Sequence, residues 1–212
     1  AINALIFLCG GMLWLAFRTR FRTAAPEEIL LAAERTDFND IHMFEEVLDD
    51  PRDLLIVDRS PFMAQKFKDY DGRWRTCFVD DARIDLASFI PIVRDSIREM
   101  AWMWRTMGTC DASLFCRFAS LIAKRVRFRA FFRRYKPRFF WGRDDYSLDH
   151  IIRNQELRKH GGTSLGTNHG MPISPHVGMW REVDFDIYYT YGSHLYDTAF
   201  KQTWHPNVKI KP

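Results

Sequence analysis

Two clusters in this sequence carry side chains able to do chemistry. The first is Arg143-Asp144-Asp145-Tyr146-Ser147, and the second is Asn168-His169-Gly170-Met171-Pro172. An imidazole titrates near neutral pH, so His169 could take a proton from a substrate hydroxyl. Gly170 leaves little crowding behind it. The plainer reading is a histidine bonded to backbone at a strand end, and spacing by itself favours that one. In the first cluster, Ser147 suits a helix cap and Asp149 suits the first helical turn, so both are assigned to structure. Arg143, Asp144 and Tyr146 have no such structural use, a surface ion pair being the alternative. The acids argue against a bare phosphate at that helix start and suit a hydroxyl-rich ligand better.

The elements around these clusters form a simple series. The apolar run from Arg138 to Trp141 predicts a strand, 148–160 a helix, and 163–167 a second strand, with Gly161-Gly162 stopping the helix. Each polar cluster then follows a strand, which is where open α/β sheets keep their sites. Upstream, Leu54-Leu55-Ile56-Val57 is a continuous apolar run ending at Asp58, as expected of a strand buried on both faces. A further strand is predicted over 75–79. Helices are predicted over 85–107, with Pro91 expected to kink or split it, and over 111–134, with Asp111 as cap. Downstream, 185–191 and 208–210 read as strands, and 194–203 as a helix. Before residue 51 the expectation is helical: an apolar helix over 2–17, a second opening at Pro26-Glu27-Glu28, and a short third across 40–49. The alternation of strand and helix predicts an α/β class, a Rossmann-like and mostly parallel sheet with helices on both faces. The division expected is an N-terminal helical segment over 1–50 and the Rossmann-like domain over 51–212.

Composition narrows the class. At 212 residues, with 47% hydrophobic and 27% charged, the chain is globular and long enough for a sizeable core. A net charge of +4 makes no case for nucleic acid by itself. The four cysteines, at 9, 77, 110 and 116, lack metal spacing and suit a reducing compartment. Residues 2–17 are shorter than a membrane span requires, and their arginines follow the apolar run rather than precede it, unlike a signal peptide. A core helix or an in-plane helix is the reading taken, ahead of the tail of a longer membrane span. The first residue is Ala and the end resembles a strand entering a linker, so a piece of a longer chain is expected.

Three other motifs were weighed. Gly161 to Gly166 is no phosphate loop, since it lacks Gly-Lys-Ser/Thr and follows a helix. Asp184-Phe185-Asp186 has the acid-x-acid form that holds a divalent metal on a nucleotide-sugar, but no clean strand precedes it, and no metal site is assigned. The run from Lys124 to Lys136 interleaves basic and aromatic residues, including Arg125, Arg127, Phe128, Arg129, Phe131, Phe132 and Arg133. It suits a packed surface helix or an anionic membrane surface equally well, and nucleic acid less well.

The order of apolar strand, Arg-Asp-Asp-Tyr-Ser, helix, glycine, short strand and His-Gly-x-Pro resembles the N-terminal half of GT-B-type glycosyltransferases of surface-carbohydrate synthesis. More distantly it resembles the glycerophosphotransferases that use CDP-glycerol. The likeness rests on 138–212, is weak over 52–137 and absent over 1–50. It implies the acceptor-side half of a GT-B fold, the donor half lying outside this chain and holding the nucleotide-sugar, with no cofactor in this half. His169 would then be the general base on the acceptor hydroxyl. Arg143, Asp144, Asp145 and Tyr146 would line the acceptor side, with Asn168 and Gly170 flanking the base. Asn168 stands where the family more often has Gln. The implied acceptor is a glycan or lipid-linked molecule, at the cytoplasmic face of the membrane. Other readings are a non-catalytic membrane or nucleic-acid binding module using 124–136, and a sugar-nucleotide epimerase of related fold.

Overall fold

The computed structural model describes residues 2–20, 25–35, 44, 46–58, 74–107, 111–142, 148–167, 183–190, 192, 194, 204 and 206–211. The chain divides into two compact units, one made of Ala1–Glu27 with Val79–Tyr135 and the other of Glu28–Phe78 with Lys136–Pro212.

The second unit holds the main sheet. Its strands are β2 (Glu27–Arg35), β3 (Leu54–Asp58), β4 (Arg75–Phe78), β6 (Tyr135–Gly142), β7 (Thr163–Thr167), β8 (Ile187–Tyr189) and β9 (Lys209–Lys211). Among the described residues they lie in the order β4-β3-β2-β6-β7-β8-β9. The pairings β2–β3, β3–β4, β6–β7, β7–β8 and β8–β9 are all parallel. The chain is therefore an α/β protein with a mostly parallel, Rossmann-like sheet. All five residues of β3 are buried, which accounts for its unbroken apolar sequence. Leu31, Ala33, Leu54, Ile56, Phe44 and Trp74 form one core of this unit. Val183, Phe185, Tyr188, Trp204 and Val208 form another.

One helix of this unit, here α4, spans Leu148–Lys159 and packs on β7. Gly161 ends it with φ +82°, and its amide bonds the Arg158 carbonyl while the Gly162 amide reaches Leu157 O at 3.2 Å. Only glycine takes that conformation without strain, so the stop expected at Gly161 is confirmed.

The first unit contains α1 (Ile2–Arg18), a two-strand parallel pair of β1 (Thr19–Arg20) and β5 (Ile84–Asp85), α2 (Leu86–Met107) and α3 (Ala112–Arg134). Met100 and Met103 of α2 pack against Phe115, Ala119 and Ile122 of α3. Gly11 of α1 sits against Ala123 of α3, where an added Cβ would lie 3.5 Å from the Ala123 Cα. Asp111 caps α3 as expected, accepting from the Ser113 and Leu114 amides.

Two expectations are corrected. The segment opening at Pro26 is the strand β2 and not a helix, so residues 1–50 are not a helical segment. Glu27–Arg35 is made largely of helix-favouring residues, but it lies between β3 and β6, and the hydrogen bonds of two neighbours outweigh a local preference of a few tenths of a kcal/mol per residue, ~0.5. The second correction concerns a split at Pro91, through which α2 runs unbroken. As its sixth residue, Pro91 forfeits a single hydrogen bond near the helix start, where fewest bonds depend on it. The helix expected over 194–203 lies almost wholly outside the described residues. Of 40–49, residues 44 and 46–49 are described, with the Leu48 amide bonded to the Phe44 carbonyl at 2.9 Å and Leu48 and Asp49 outside any helix.

Candidate functional site

The strand order fixes where a site belongs. From β2 the chain builds outward in one direction through β3 and β4, and in the other through β6, β7, β8 and β9. The reversal falls between β2 and β6, and the crevice at the carboxyl ends of those strands is where such sheets bind ligands.

The predicted residues Arg143, Asp144, Asp145, Tyr146, Asn168, His169 and Gly170 lie outside the described residues. Their anchors are described. Gly142, the last residue of β6, is in register with Gly166 of β7, and β7 ends one residue later at Thr167. The two clusters thus follow adjacent parallel strands at the carboxyl end of the sheet.

The strand ends rest on a buried polar assembly centred on Arg153 of α4, itself 2% exposed. Its guanidinium pairs with Glu34, near the end of β2, at 2.5 Å. It also fills the space that a side chain at Gly142 would need. One group therefore meets the ends of both β2 and β6, which places those ends together. The Arg153 Nε donates to Asn154 Oδ1 at 3.0 Å, and the Asn154 amide donates to the Asp184 carbonyl at 2.7 Å. Phe140 lies 4.6 Å from the Arg153 charge centre, and its ring face favours a cation. His150 stacks flat on Phe185 with ring centroids 5.2 Å apart, close to the Asp184 amide. Asp58 closes β3 and is buried at the same edge, in register with Arg35.

Sequence reasoning overlooked Arg153, Glu34 and Asp58. A signal for Arg153 exists: positions 150, 153, 154 and 157 share one side of α4, and three of the four are polar where a core-facing helix would be apolar.

Asp184 and Asp186 are engaged within the protein. Arg158 donates to both oxygens of Asp184 at 2.7 and 2.6 Å and to Asp186 at 3.2 Å. Asp186 also accepts from the amide and the hydroxyl of Ser164, both at 2.7 Å. Burial pulls the Arg158 pKa down, but the two carboxylates outweigh it and leave the group more firmly protonated than usual. The acid-x-acid motif is thus a clamp that ties the start of β8 to α4 and β7. Among the described residues, no cluster of histidine, cysteine and carboxylate could hold a metal ion.

The basic-aromatic run is also largely used inside its own unit. Phe131 and Phe132 are fully buried, and Arg129 is 4% exposed. Arg129 pairs with Glu99 and donates to Ser96 Oγ at 3.0 Å, and Arg125 approaches Glu99 at 3.8 Å. Arg127 pairs with Asp80 at 3.1 Å. Phe131, Phe132 and Arg129 therefore do not form the outer surface expected of them. Their spacing is that of a helix buried over its last two turns.

Residues 36–43, which follow β2, contain no glycine. A dinucleotide fold needs glycines just after such a strand for the backbone to approach a pyrophosphate, so this stretch of sequence lacks that fingerprint. Comparison of the chain with family models, curated proteins and solved structures returns no match.

Proposed function

We propose that this chain is the acceptor-side half of a GT-B-type glycosyltransferase, moving a sugar from a nucleotide-sugar to a glycan or lipid-linked acceptor. The observation that carries the reading is the exit of both polar clusters from adjacent strand ends, next to the reversal between β2 and β6. His169 takes the proton of the acceptor hydroxyl. The freed oxygen bonds to the sugar carbon, and the nucleoside diphosphate leaves with the electrons of the broken bond. Arg143, Asp144, Asp145 and Tyr146 hold the acceptor's hydroxyls, beside Asn168 and Gly170. The nucleotide-sugar belongs to a second, donor-side half. The absence of glycine from the sequence over 36–43, after β2, agrees with a nucleotide held elsewhere. The work is assigned to the cytoplasmic membrane face. Among the described residues, no helix is long and apolar enough to cross a membrane.

The test is His169→Ala in the full-length protein, assayed for sugar transfer. Loss of a general base lowers turnover by about 10²–10⁴-fold. Retained turnover in a folded variant overturns the role. Conversion of a nucleotide-sugar alone, without acceptor, would identify an epimerase instead.

A further inference from the structure

The helical unit, Ala1–Glu27 with Val79–Tyr135, carries fourteen Lys and Arg against seven Asp and Glu, a net charge of +7 in a chain whose total is +4. The other unit is accordingly net acidic. The basic unit also shows apolar side chains to solvent in an ordered way. On α2, Ile92, Ser96, Met100 and Met103 face inward. A second apolar row, Leu86, Ile90, Val93, Ile97 and Trp104, recurs at helical spacing on another face. Ile90 is 62% exposed, Ile97 53% and Trp104 49%. Arg94, Arg98 and Arg105 run parallel to that row, one step further around the helix. Among the described residues, Arg98 and Arg105 make no ion pair, and Arg94 pairs only with its exposed neighbour Asp95. Phe89, Ile90, Val93, Ile97 and the stems of Arg94 and Arg98 line a shallow depression of about 390 Å³.

We infer that this face of α2 docks on an anionic lipid bilayer surface, with the apolar row at the acyl boundary and the arginines among the headgroups. A row of branched aliphatics ending in tryptophan and edged by arginines is the pattern of a helix lying in the interface plane. Arginine stems lie along apolar surface while their charges stay in the polar layer. The charge of the unit has the complementary sign for anionic lipid. A second copy of this chain fits less well, because symmetric pairing on the row would bring two arginine rows together. The inference uses none of the residues of the sugar-transfer reading and stands without it.

Co-sedimentation of the 212-residue chain with phosphatidylcholine vesicles, with and without phosphatidylglycerol, tests it. Binding should require the anionic lipid and weaken as salt is raised. Neutralising the row with Arg94→Gln, Arg98→Gln and Arg105→Gln should cost about a hundredfold in partition, near fivefold per arginine. Replacing Ile90 and Ile97 by Ser keeps every charge and should cost about tenfold for each side chain removed. All five positions face solvent, and unchanged circular dichroism and thermal melting would show that the variants fold. No binding to the anionic vesicles overturns the inference, as does binding that the Ile90→Ser, Ile97→Ser variant retains in full. Self-association lost in that same variant, without vesicle binding, would assign the face to a second copy and also overturn it.

Discussion

Arg153 shows how much one residue can hold. Its pairing with Glu34 and its packing under Gly142 couple the ends of two strands that are far apart in sequence. Gly142→Ala would put a methyl into the guanidinium, and overpacking of this kind costs about 1–3 kcal/mol. The expected result is a lower melting temperature with the transition still cooperative. Arg153→Met removes one partner of a buried ion pair and leaves Glu34 in a poor environment, at a cost of about 3–5 kcal/mol. Adding Glu34→Gln to Arg153→Met should recover part of that loss, and urea unfolding of both single variants and the double gives the coupling. If the two losses simply add, the pair is not coupled. At the same scale, the strand ends that precede the 143–146 cluster and His169 were legible, while those residues themselves lie outside the described ones. Arg153 was not, because an arginine on a helix reads as a solvated charge until the fold shows what lies against it.

At the scale of elements, the starts of α2 and α3 can be tested through pH. Asp85 accepts a hydrogen bond from Ser88, whose side chain and then backbone amide hold the carboxyl below its ordinary range. Asp111 is held down in the same way, first by the Ser113 side chain and then by the Ser113 and Leu114 amides. A depressed carboxylate stabilises the fold fully above its unfolded pKa, about 3.9, and loses that contribution as pH falls toward the lower folded value. Asp85→Ala should therefore cost about 1 kcal/mol at neutral pH, a typical cap value. Thermal melts should show the gap from wild type closing as pH drops below about 4. A gap that stayed constant down to the acid limit would mean that Asp85 acts other than as a charged cap. Most elements were legible at this scale. Apolar runs marked β3 and β6, the short run after Gly161-Gly162 marked β7, and Gly161 marked the end of α4. The exceptions are the two-residue pair β1–β5 and β2, whose own residues argue for helix and whose strand state comes from its neighbours.

For the whole molecule, the strand order ranks the sheet by protection. Among the described residues, β2 and β6 are central, whereas β4 and β9 are the edges and have one neighbour each. Amide exchange should be slowest in β2, β3 and β6 and fastest in β4 and β9. Faster exchange in β2 than in β4 would contradict the observed order. The charge separates at this scale too. A chain of +4 is unremarkable as a sum, but it joins a unit of +7 to one that is net acidic. The sum hides the separation because it adds an acidic unit to a basic one; 79–135 already carries eleven Lys and Arg against six Asp and Glu, and the fold joins residues 1–27 to it.

The sequence by itself determined the α/β class, most strand and helix positions, the Asp111 cap, the Gly161 stop, and the strand ends at Gly142 and Thr167. Each depends on neighbours a few residues away, which the chain carries locally. Tertiary structure alone decided that Glu27–Arg35 is a central strand and that the sheet reverses between β2 and β6. It also assigned Asp184 and Asp186 to Arg158, and turned Phe131 and Phe132 inward while the α2 row stayed at the surface. These outcomes depend on which distant segments become neighbours, and no local pattern encodes the hydrogen bonds, ion pairs and packing that such neighbours supply.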